Sequence, residues 1–575
     1  MMNLIRVACG AFFLILIAAQ TSAVSAQSWA ASATSAFPTM RGNIDLGRAP
    51  DALPLHIAVG LMARNHSTLQ QLLRRQTTPG DPLYGRFLTP AESASLFSPR
   101  GTQVQAVASY LQRSGFSNVR VTPDNLILSA DGNVRTVNAA FATEMHVLAL
   151  NGTRIYANAR PALIPRTLAG TIVSVEGLHS FPFHKAIKRR NANLFAQAKT
   201  SATACTEVPV LDICALNEFG PVDFQKVYDG TKASTGSLTT IAIFAEGALG
   251  QVVTDLRTQE KQSGLPQVPT TIVPTGIAST DTSGADEFDL DTQYSTGMAQ
   301  DVKQLYIYDA PSLTDADTSI EFDRFKTDDL AKAGSASFGE CEVFASTDGS
   351  MLQDDEIFSE AAAQGQTVFA SAGDTGTFCP APVVSMNGVP AGLPFQEYPA
   401  SSPYVVAVGG TTLIANPDGT YNGEIGWDSG GGGPSLLESP GAWQSGVVNV
   451  VASEAGARAV PDIAMDADPN TGANVIVSGT SEEVGGTSLS SPLALGVWAR
   501  LESAHKNALG FASPLLYGEF SKDFTSSATL PTELTQPVGG FHDVLVGANP
   551  LPAGPGYDFS TGLGTLDIGL QVKDI

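Results

Sequence analysis

The sequence predicts an α/β protein, a parallel sheet with helices on both faces, preceded by a smaller α+β domain. Three observations carry this reading. Beyond residue 205, short apolar runs alternate with helical segments, the pattern of βαβ units. Between about Leu55 and Leu178, strand and helix signals are more closely mixed. Between these regions, Phe183 to about Ala204 is rich in Lys/Arg, Ala and Asn without apolar periodicity, which marks an exposed linker and a plausible cleavage site or plain tether. At 575 residues the chain exceeds one typical domain, and 43% hydrophobic with 15% charged residues excludes a disordered one.

Residues 1–26 carry Arg6, an apolar stretch from Val7 to Ala19 and the small-residue sequence Ala23-Val24-Ser25-Ala26, the pattern of a secretory signal cleaved after Ala26. The product is therefore expected to be secreted, extracellular or periplasmic, and no later run is long and apolar enough to span a membrane. Residues 27–182 form the α+β domain. In it, His56 to Leu61 reads as a strand, Ser67 to Arg75 as a helix, Val104 to Arg113 as a second helix with Val104, Val107, Ala108 and Leu111 on one face, and Val119 to Leu128 as strand material. Residues 183–204 are the linker and 205–575 the α/β domain. There Thr239 to Phe244, Thr367 to Ala370 and Tyr404 to Val408 read as buried strands, whose carboxyl ends are where chemistry gathers in such a sheet.

Charge divides the chain. Residues 1–204 hold 19 Lys+Arg against 8 Asp+Glu, a net of +11, whereas residues 205–575 hold 13 against 48, a net of −35. Opposite signs predict that the two bodies dock. Nucleic acid is excluded as a partner, since the acidic body repels phosphate and the basic one has no patch interleaved with aromatics. Cys205, Cys214, Cys341 and Cys379 remain after the signal, in an order that suits Cys205 with Cys214 and Cys341 with Cys379 but does not fix it.

The chain is organised around Gly485-Gly486-Thr487-Ser488-Leu489-Ser490-Ser491-Pro492, which precedes the apolar run Leu493 to Ala499. Two glycines permit a sharp turn, and a helix starting beyond them would offer free N–H groups beside Ser488, a candidate nucleophile. An ordinary Gly-Ser loop capping a core helix has the same composition. A serine needs a base. From residue 205 onward only His505 and His542 are available, both outside any recognisable loop signature. Carboxylates are better placed. In Gly284-Ala285-Asp286-Glu287-Phe288-Asp289-Leu290-Asp291, Glu287 and Asp291 stand at i and i+4 on one helix face, where each perturbs the other, although a solvated acidic helix start reads the same way. Asp374, in Ser371-Ala372-Gly373-Asp374-Thr375-Gly376, follows a strand and in acid could donate a hydrogen bond to an oxyanion, or simply form a turn. Near the C-terminus, Phe541-His542-Asp543-Val544 and Ala553 to Asp558 combine two carboxylates with Gly-rich turns, which suits Ca²⁺ and equally two structural turns.

Taken together these segments resemble the sedolisin family of serine-carboxyl peptidases, including its kumamolisin-like members. Asp81-Pro82-Leu83-Tyr84-Gly85-Arg86-Phe87-Leu88-Thr89-Pro90 is similar to the family's activation-domain motif. Glu287 with Asp291, then Ser371 to Asp374, then Pro399 to Thr411, then Gly486-Thr487-Ser488 follow in the family's order. The resemblance implies a subtilisin-like fold, an inhibitory prodomain, peptide or protein substrates, and a Ser-Glu-Asp triad. Carried over by position, Ser488 is the nucleophile, Glu287 the general base and then acid, Asp291 its orienting partner and Asp374 the oxyanion donor. It also implies one Ca²⁺ held by Asp543 and Asp558 side chains and by carbonyls of Val544, Gly554 and Gly556. Glu246 is similar to an extra acid of some members, but Phe338 stands where some of them have Trp.

The choice of base sets the expected pH. At about pH 4 a histidine of pKa about 6.5 is roughly 99.7% protonated, while a glutamate of pKa about 4.3 is still partly ionised. Replacing histidine by glutamate thus moves activity into acid.

Overall fold

A computed structural model describes residues 27–38, 44–150, 153–181, 183–189, 206–208, 211–213, 219–384, 390–447, 456–525, 533–569 and 571. The signal at 1–26, Cys205 and Cys214 lie outside the described residues.

The C-terminal domain is built on an 11-stranded sheet in the order Thr270–Pro274, Val302–Ala310, Gly236–Glu246, Ala333–Ala336, Thr367–Ser371, Val405–Ala415, Ile463–Asp466, Thr565–Leu566, Phe541–Val544 and Thr535–Val538, with Tyr421–Gly426 paired to Val405–Ala415. Pairing is parallel as far as Thr565–Leu566. The last strands and Tyr421–Gly426 are antiparallel, so the sheet is mixed rather than purely parallel. The period-2 geometry of a strand sorts its side chains to two cores. Ile241, Ile243, Phe369, Val406 and Val408 face the helices Ala285–Ala299 and Thr487–Ala504, meeting Phe288, Tyr294, Met298, Leu493, Val497 and Trp498. Ala242, Phe244, Val368, Ala370, Val405 and Ala407 face the other way, onto Phe322, Phe325, Ile357 and Phe358 of the helices Asp315–Asp328 and Ser350–Ala363. Burial on both faces is why these strands read as continuous apolar runs.

The N-terminal domain is α+β. Its sheet runs Ser117–Val121, Ile127–Asn133, Pro54–Leu61, Ile172–Glu176, all antiparallel. The stretch read as one strand, Val119 to Leu128, is two, because Asp124 closes a turn by accepting from the Leu126 amide. The helix Gly101–Arg113 buries the anticipated Val104, Val107, Ala108 and Leu111 against this sheet.

The helix His66–Thr77 instead leaves its own domain. Leu69 and Leu73, with Phe97 of the helix Pro90–Phe97, pack on Ala362, Ala363 and Phe511 of the C-terminal domain. The Asp81–Pro90 segment completes this contact: Leu88 N–H donates to the Ala363 carbonyl (2.9 Å), the Phe87 ring covers Gly365 and Gly510, and Thr89 caps the next helix in a capping box with Glu92. Ala58, Leu126 and Ile127 join the second core of the other domain. Docking thus rests first on apolar contact. Charge adds His66 with Glu356 at 2.7 Å, but the buried pair Lys326 with Asp124 has the cation on the acidic domain, the reverse of the polarity that net charge implies.

Candidate active site

The helix Thr487–Ala504 begins at Thr487, so Ser488 stands inside its first turn rather than just before it. Pro492, six residues in, has no N–H for the Ser488 carbonyl. Ser337 Oγ stands 3.4 Å from that carbonyl, on the side the proline leaves open. Gly486 adopts φ +100°, which strongly favours glycine, and its amide is anchored on the Ala467 carbonyl at 2.6 Å.

Glu287 and Asp291 lie on the helix Ala285–Ala299, one turn apart and fully buried. Ser337 Oγ donates to Asp291 Oδ1 (2.5 Å), while its carbonyl accepts from Ser488 Oγ (3.3 Å), so one residue ties the acid pair to the serine. Burial, then repulsion from Asp291, pushes Glu287 well above the usual carboxyl range, while the Ser488 hydroxyl favours its ionised form. Burial also raises Asp291 well above the usual range, against the Ser337 hydrogen bond. Two coupled carboxyls raised in this way can pass a proton between them, so the pair can serve as base and then acid.

Asp374 follows the strand Thr367–Ser371, at its carboxyl end. Its Oδ1 accepts both the Thr487 amide (2.7 Å) and the Thr487 hydroxyl (2.8 Å), leaving Oδ2 without a partner. Burial lifts this carboxyl to about 7. It is therefore a neutral donor in acid, with its free oxygen available to carry the proton.

What fills the cleft is the start of the linker. Residues 183–189, read as exposed, include buried Phe183 and Ala186. His184 and Lys185 pair antiparallel with Gly339 and Phe338, and Lys188 and Arg189 pair with Gly485 and Val484. Between these two ladders Ala186 N–H donates to the Ser337 carbonyl at 3.4 Å. A Cβ on Gly486 would lie 2.0 Å from the Ala186 carbonyl oxygen and 2.6 Å from Asp374 Oδ2, so the two oxygens flank one point beside Ser488. His184 Nε2 pairs with Glu397 (3.0 Å), Lys185 with Glu246 (2.8 Å) and Arg189 with Asp286 (2.6 Å). Glu246 thus receives the linker's ammonium, and Phe338 stacks among Phe183 and Phe322 with no polar role.

The two histidines the sequence offered as bases, His505 and His542, stand elsewhere. His505 ends the helix that Ser488 begins, about 25 Å away at 1.5 Å per residue. His542 is stacked on Tyr421 with ring centroids 3.8 Å apart. Sequence reasoning missed the two residues that wire the site, Ser337 and Thr487. A lone serine carries no signal, whereas Thr487 stands in the motif that singled out Ser488.

The C-terminal residues also come together, away from Ser488. Gly556 N–H donates to Asp543 Oδ2 (2.9 Å), and Gly554 N–H to Asp558 Oδ2 (3.0 Å). It is therefore the amides of these two glycines that meet the carboxylates, while Val544 ends the strand that carries Asp543. Burial lifts Asp543 to about 6 and Asp558 to about 7, the second also by repulsion from the first, and Asp543 Oδ1 is buried without a partner. The free Asp543 oxygen, on a desolvated carboxyl, is open to a hard cation, whereas both Asp558 oxygens already accept from the amides of Gly554, Ser560 and Thr561. A second group able to hold a metal ion comprises buried His179, Asp315 and Asp348, which sequence spacing did not reveal.

Comparison with known proteins matches residues 41–181 to the pro-kumamolisin activation domain and residues 271–518 to the subtilase family. The chain is 36% identical to sedolisin of Pseudomonas sp. (strain 101), over 94% of this chain and 91% of the relative. It is 35% identical to xanthomonalisin of Xanthomonas sp. (strain T-22), over 96% and 70%, and 31% identical to kumamolisin of Bacillus sp. (strain MN-32), over 77% of each. The solved structure of Pseudomonas sedolisin, a serine-carboxyl proteinase complexed with two molecules of pseudo-iodotyrostatin, aligns with a TM-score of 0.55 at 36% identity, covering 63% of this chain and 98% of that one.

Proposed function

Since the chain belongs to the sedolisin family of serine-carboxyl peptidases, we propose that it is a secreted, acid-acting zymogen whose Ser488 first cuts its own linker between Ala186 and Ile187. The observation that carries this is the linker strand itself, paired on both sides of the cleft with its Ala186 carbonyl beside Asp374 Oδ2. A substrate peptide takes the same path once the linker has gone.

In this reading Ser488 Oγ attacks the Ala186 carbonyl carbon and passes its proton to Glu287, which Asp291 holds in place. Negative charge forming on the carbonyl oxygen is met by the proton on Asp374 Oδ2. Glu287 then returns its proton to the departing Ile187 nitrogen, and water, activated by the same carboxylate, releases the acyl group from Ser488. The hydroxyl rests on the Ser337 carbonyl in this structure and has only to swing to the carboxylate to begin. The free Asp543 oxygen supports one Ca²⁺ at Asp543 and Asp558, and the family resemblance adds carbonyls of Val544, Gly554 and Gly556 as further ligands. When bound it supplies cross-linking of the C-terminal loops, not chemistry. The opening hydrophobic segment supports export.

The test is N-terminal sequencing of the wild type and of Ser488→Ala after incubation at about pH 4 and about pH 7, either side of the carboxylate and histidine titrations. We expect a new N-terminus at Ile187 in the wild type in acid and an intact Ser488→Ala chain. Processing of Ser488→Ala at the wild-type rate, or cutting only near neutrality, would overturn the reading.

A further inference from the structure

We propose that the precursor binds one zinc ion between its two domains, held by His179 of the N-terminal domain and by Asp315 and Asp348 of the C-terminal domain. The ion would act as a removable staple on the inhibitory domain.

The argument starts from burial without compensation. Glu176, Asp315, Glu340, Asp348 and Asp354 are each 2% exposed or less, and His179 is 2% exposed. The groups that act on them most are one another, His179, the hydroxyls of Ser174, Ser319 and Ser350 and the Ser350 amide. Carboxylates so deeply buried are costly unless a cation joins them. Several of their oxygens are also unpartnered: Glu176 Oε2, Asp348 Oδ2, and both oxygens of Glu340 and of Asp354.

The second observation is the histidine. Both ring nitrogens of His179 lack a hydrogen-bond partner, and Nε2 points between two carboxylates, 3.4 Å from Asp315 Oδ2 and 3.6 Å from Asp348 Oδ2. Those separations are too long for a charge-assisted hydrogen bond, which runs about 2.7–2.9 Å. They match the edge of a tetrahedron about a common atom, since ligands at about 2.0–2.2 Å from zinc stand roughly 3.3–3.6 Å apart. The remaining oxygens of the two aspartates are already fixed from outside. Ser350 Oγ donates to Asp315 Oδ1 (3.2 Å) and Ser350 N–H to Asp348 Oδ1 (2.9 Å), which aims both Oδ2 atoms inward. Glu340, buried beside them with both oxygens unpartnered, adds a further carboxylate to the cluster. One imidazole with carboxylates suits zinc better than calcium, which takes oxygen alone.

The consequence follows from where the ligands sit in the chain. Asp315 opens the helix Asp315–Asp328 and Asp348 closes the helix Glu342–Asp348, both in the peptidase domain, while His179 lies on the other side of the linker. Cutting at Ala186–Ile187 would leave His179 on the released piece. With zinc bound, that piece would remain clamped. The inference rests on the N-terminal domain inhibiting its own chain, but not on any catalytic role assigned above.

The test uses the full-length Ser488→Ala precursor, stripped by chelator and titrated near pH 7 with Zn²⁺ or Co²⁺. We expect one zinc equivalent by elemental analysis and an intense tetrahedral cobalt spectrum, with affinity falling about a hundredfold or more in His179→Gln and in Asp348→Asn. His146→Gln, on a histidine away from the cluster, serves as control and should bind as the parent does. No bound zinc in the folded parent, or binding unchanged in both ligand variants, overturns the proposal. If the wild type also proves inactive, that bears on the proposed function alone, because metal content is read without turnover.

Discussion

Asp374→Asn isolates one proton. The structure gives Oδ1 two donors from Thr487 and leaves Oδ2 free, so an asparagine can keep its oxygen on Thr487 and present Nδ2 where Oδ2 stands. Burial raises the Asp374 pKa to about 7, so the neutral, donating form is present below that value and is lost as pH rises through it. For a group titrating at about 7, about 1% stays protonated at pH 9, so the wild-type rate should fall roughly 10²-fold between pH 5 and pH 9 from this cause. A single oxyanion donor is itself worth about 10²–10³ in rate, so the two magnitudes agree. Asn donates at every pH, so the limb centred on about 7 should vanish in the variant while activity in acid stays within an order of magnitude; Asp374→Ala should lose about 10²–10³ throughout. The assay is the rate of self-cleavage of the full-length precursor across pH 4 to about 9, the state in which the linker covers Asp374, with circular dichroism to confirm folding. An Asn variant that retains the wild-type alkaline limb, or an Ala variant with wild-type rates, would refute the donor role.

Glu287→Gln should lower kcat by about 10²–10⁴, the usual value of a general base, with little change in KM; matching single-turnover rates would remove Glu287 from the mechanism. Cys341 and Cys379 are disulfide-bonded across a sequence separation of 38, as one of the pairings read from the sequence had it. By loop-closure entropy, replacing both with serine should cost about 4 kcal/mol in denaturant unfolding, and a loss near zero would show that the bridge does not constrain the unfolded chain. Adding EGTA to the processed enzyme should lower its Tm, and Asp543→Asn should abolish that response. A Tm indifferent to EGTA, with no calcium by elemental analysis, would dismiss the ion.

Much of this molecule was determined locally. The strands around Ile241, Phe369 and Val406 were legible because burial on both faces demands unbroken apolar runs. Glu287 and Asp291 were legible as a pair because helical pitch alone puts i and i+4 on one face. Gly486 and Ser488 were legible because a turn with φ +100° strongly favours glycine just before a helix. The helix His66–Thr77 was foreseen as a helix, but its partner was not, since an amphipathic face does not say what it will cover. Likewise, only the folded chain brings Ser337 between Asp291 and Ser488, across sequence distances of 46 and 151. The linker shows the limit most clearly. Its lack of apolar periodicity reads as an exposed linker, yet residues 184–185 and 188–189 are strands, because their ladder partners are the edges of a cleft formed by Phe338, Gly339, Val484 and Gly485. Backbone pairing is indifferent to side-chain pattern, so a polar segment takes strand form wherever tertiary structure offers unpaired edges. The same reason hides His179 beside Asp315 and Asp348: spacing reveals ligands that share one element, and these come from separate elements on both sides of the linker.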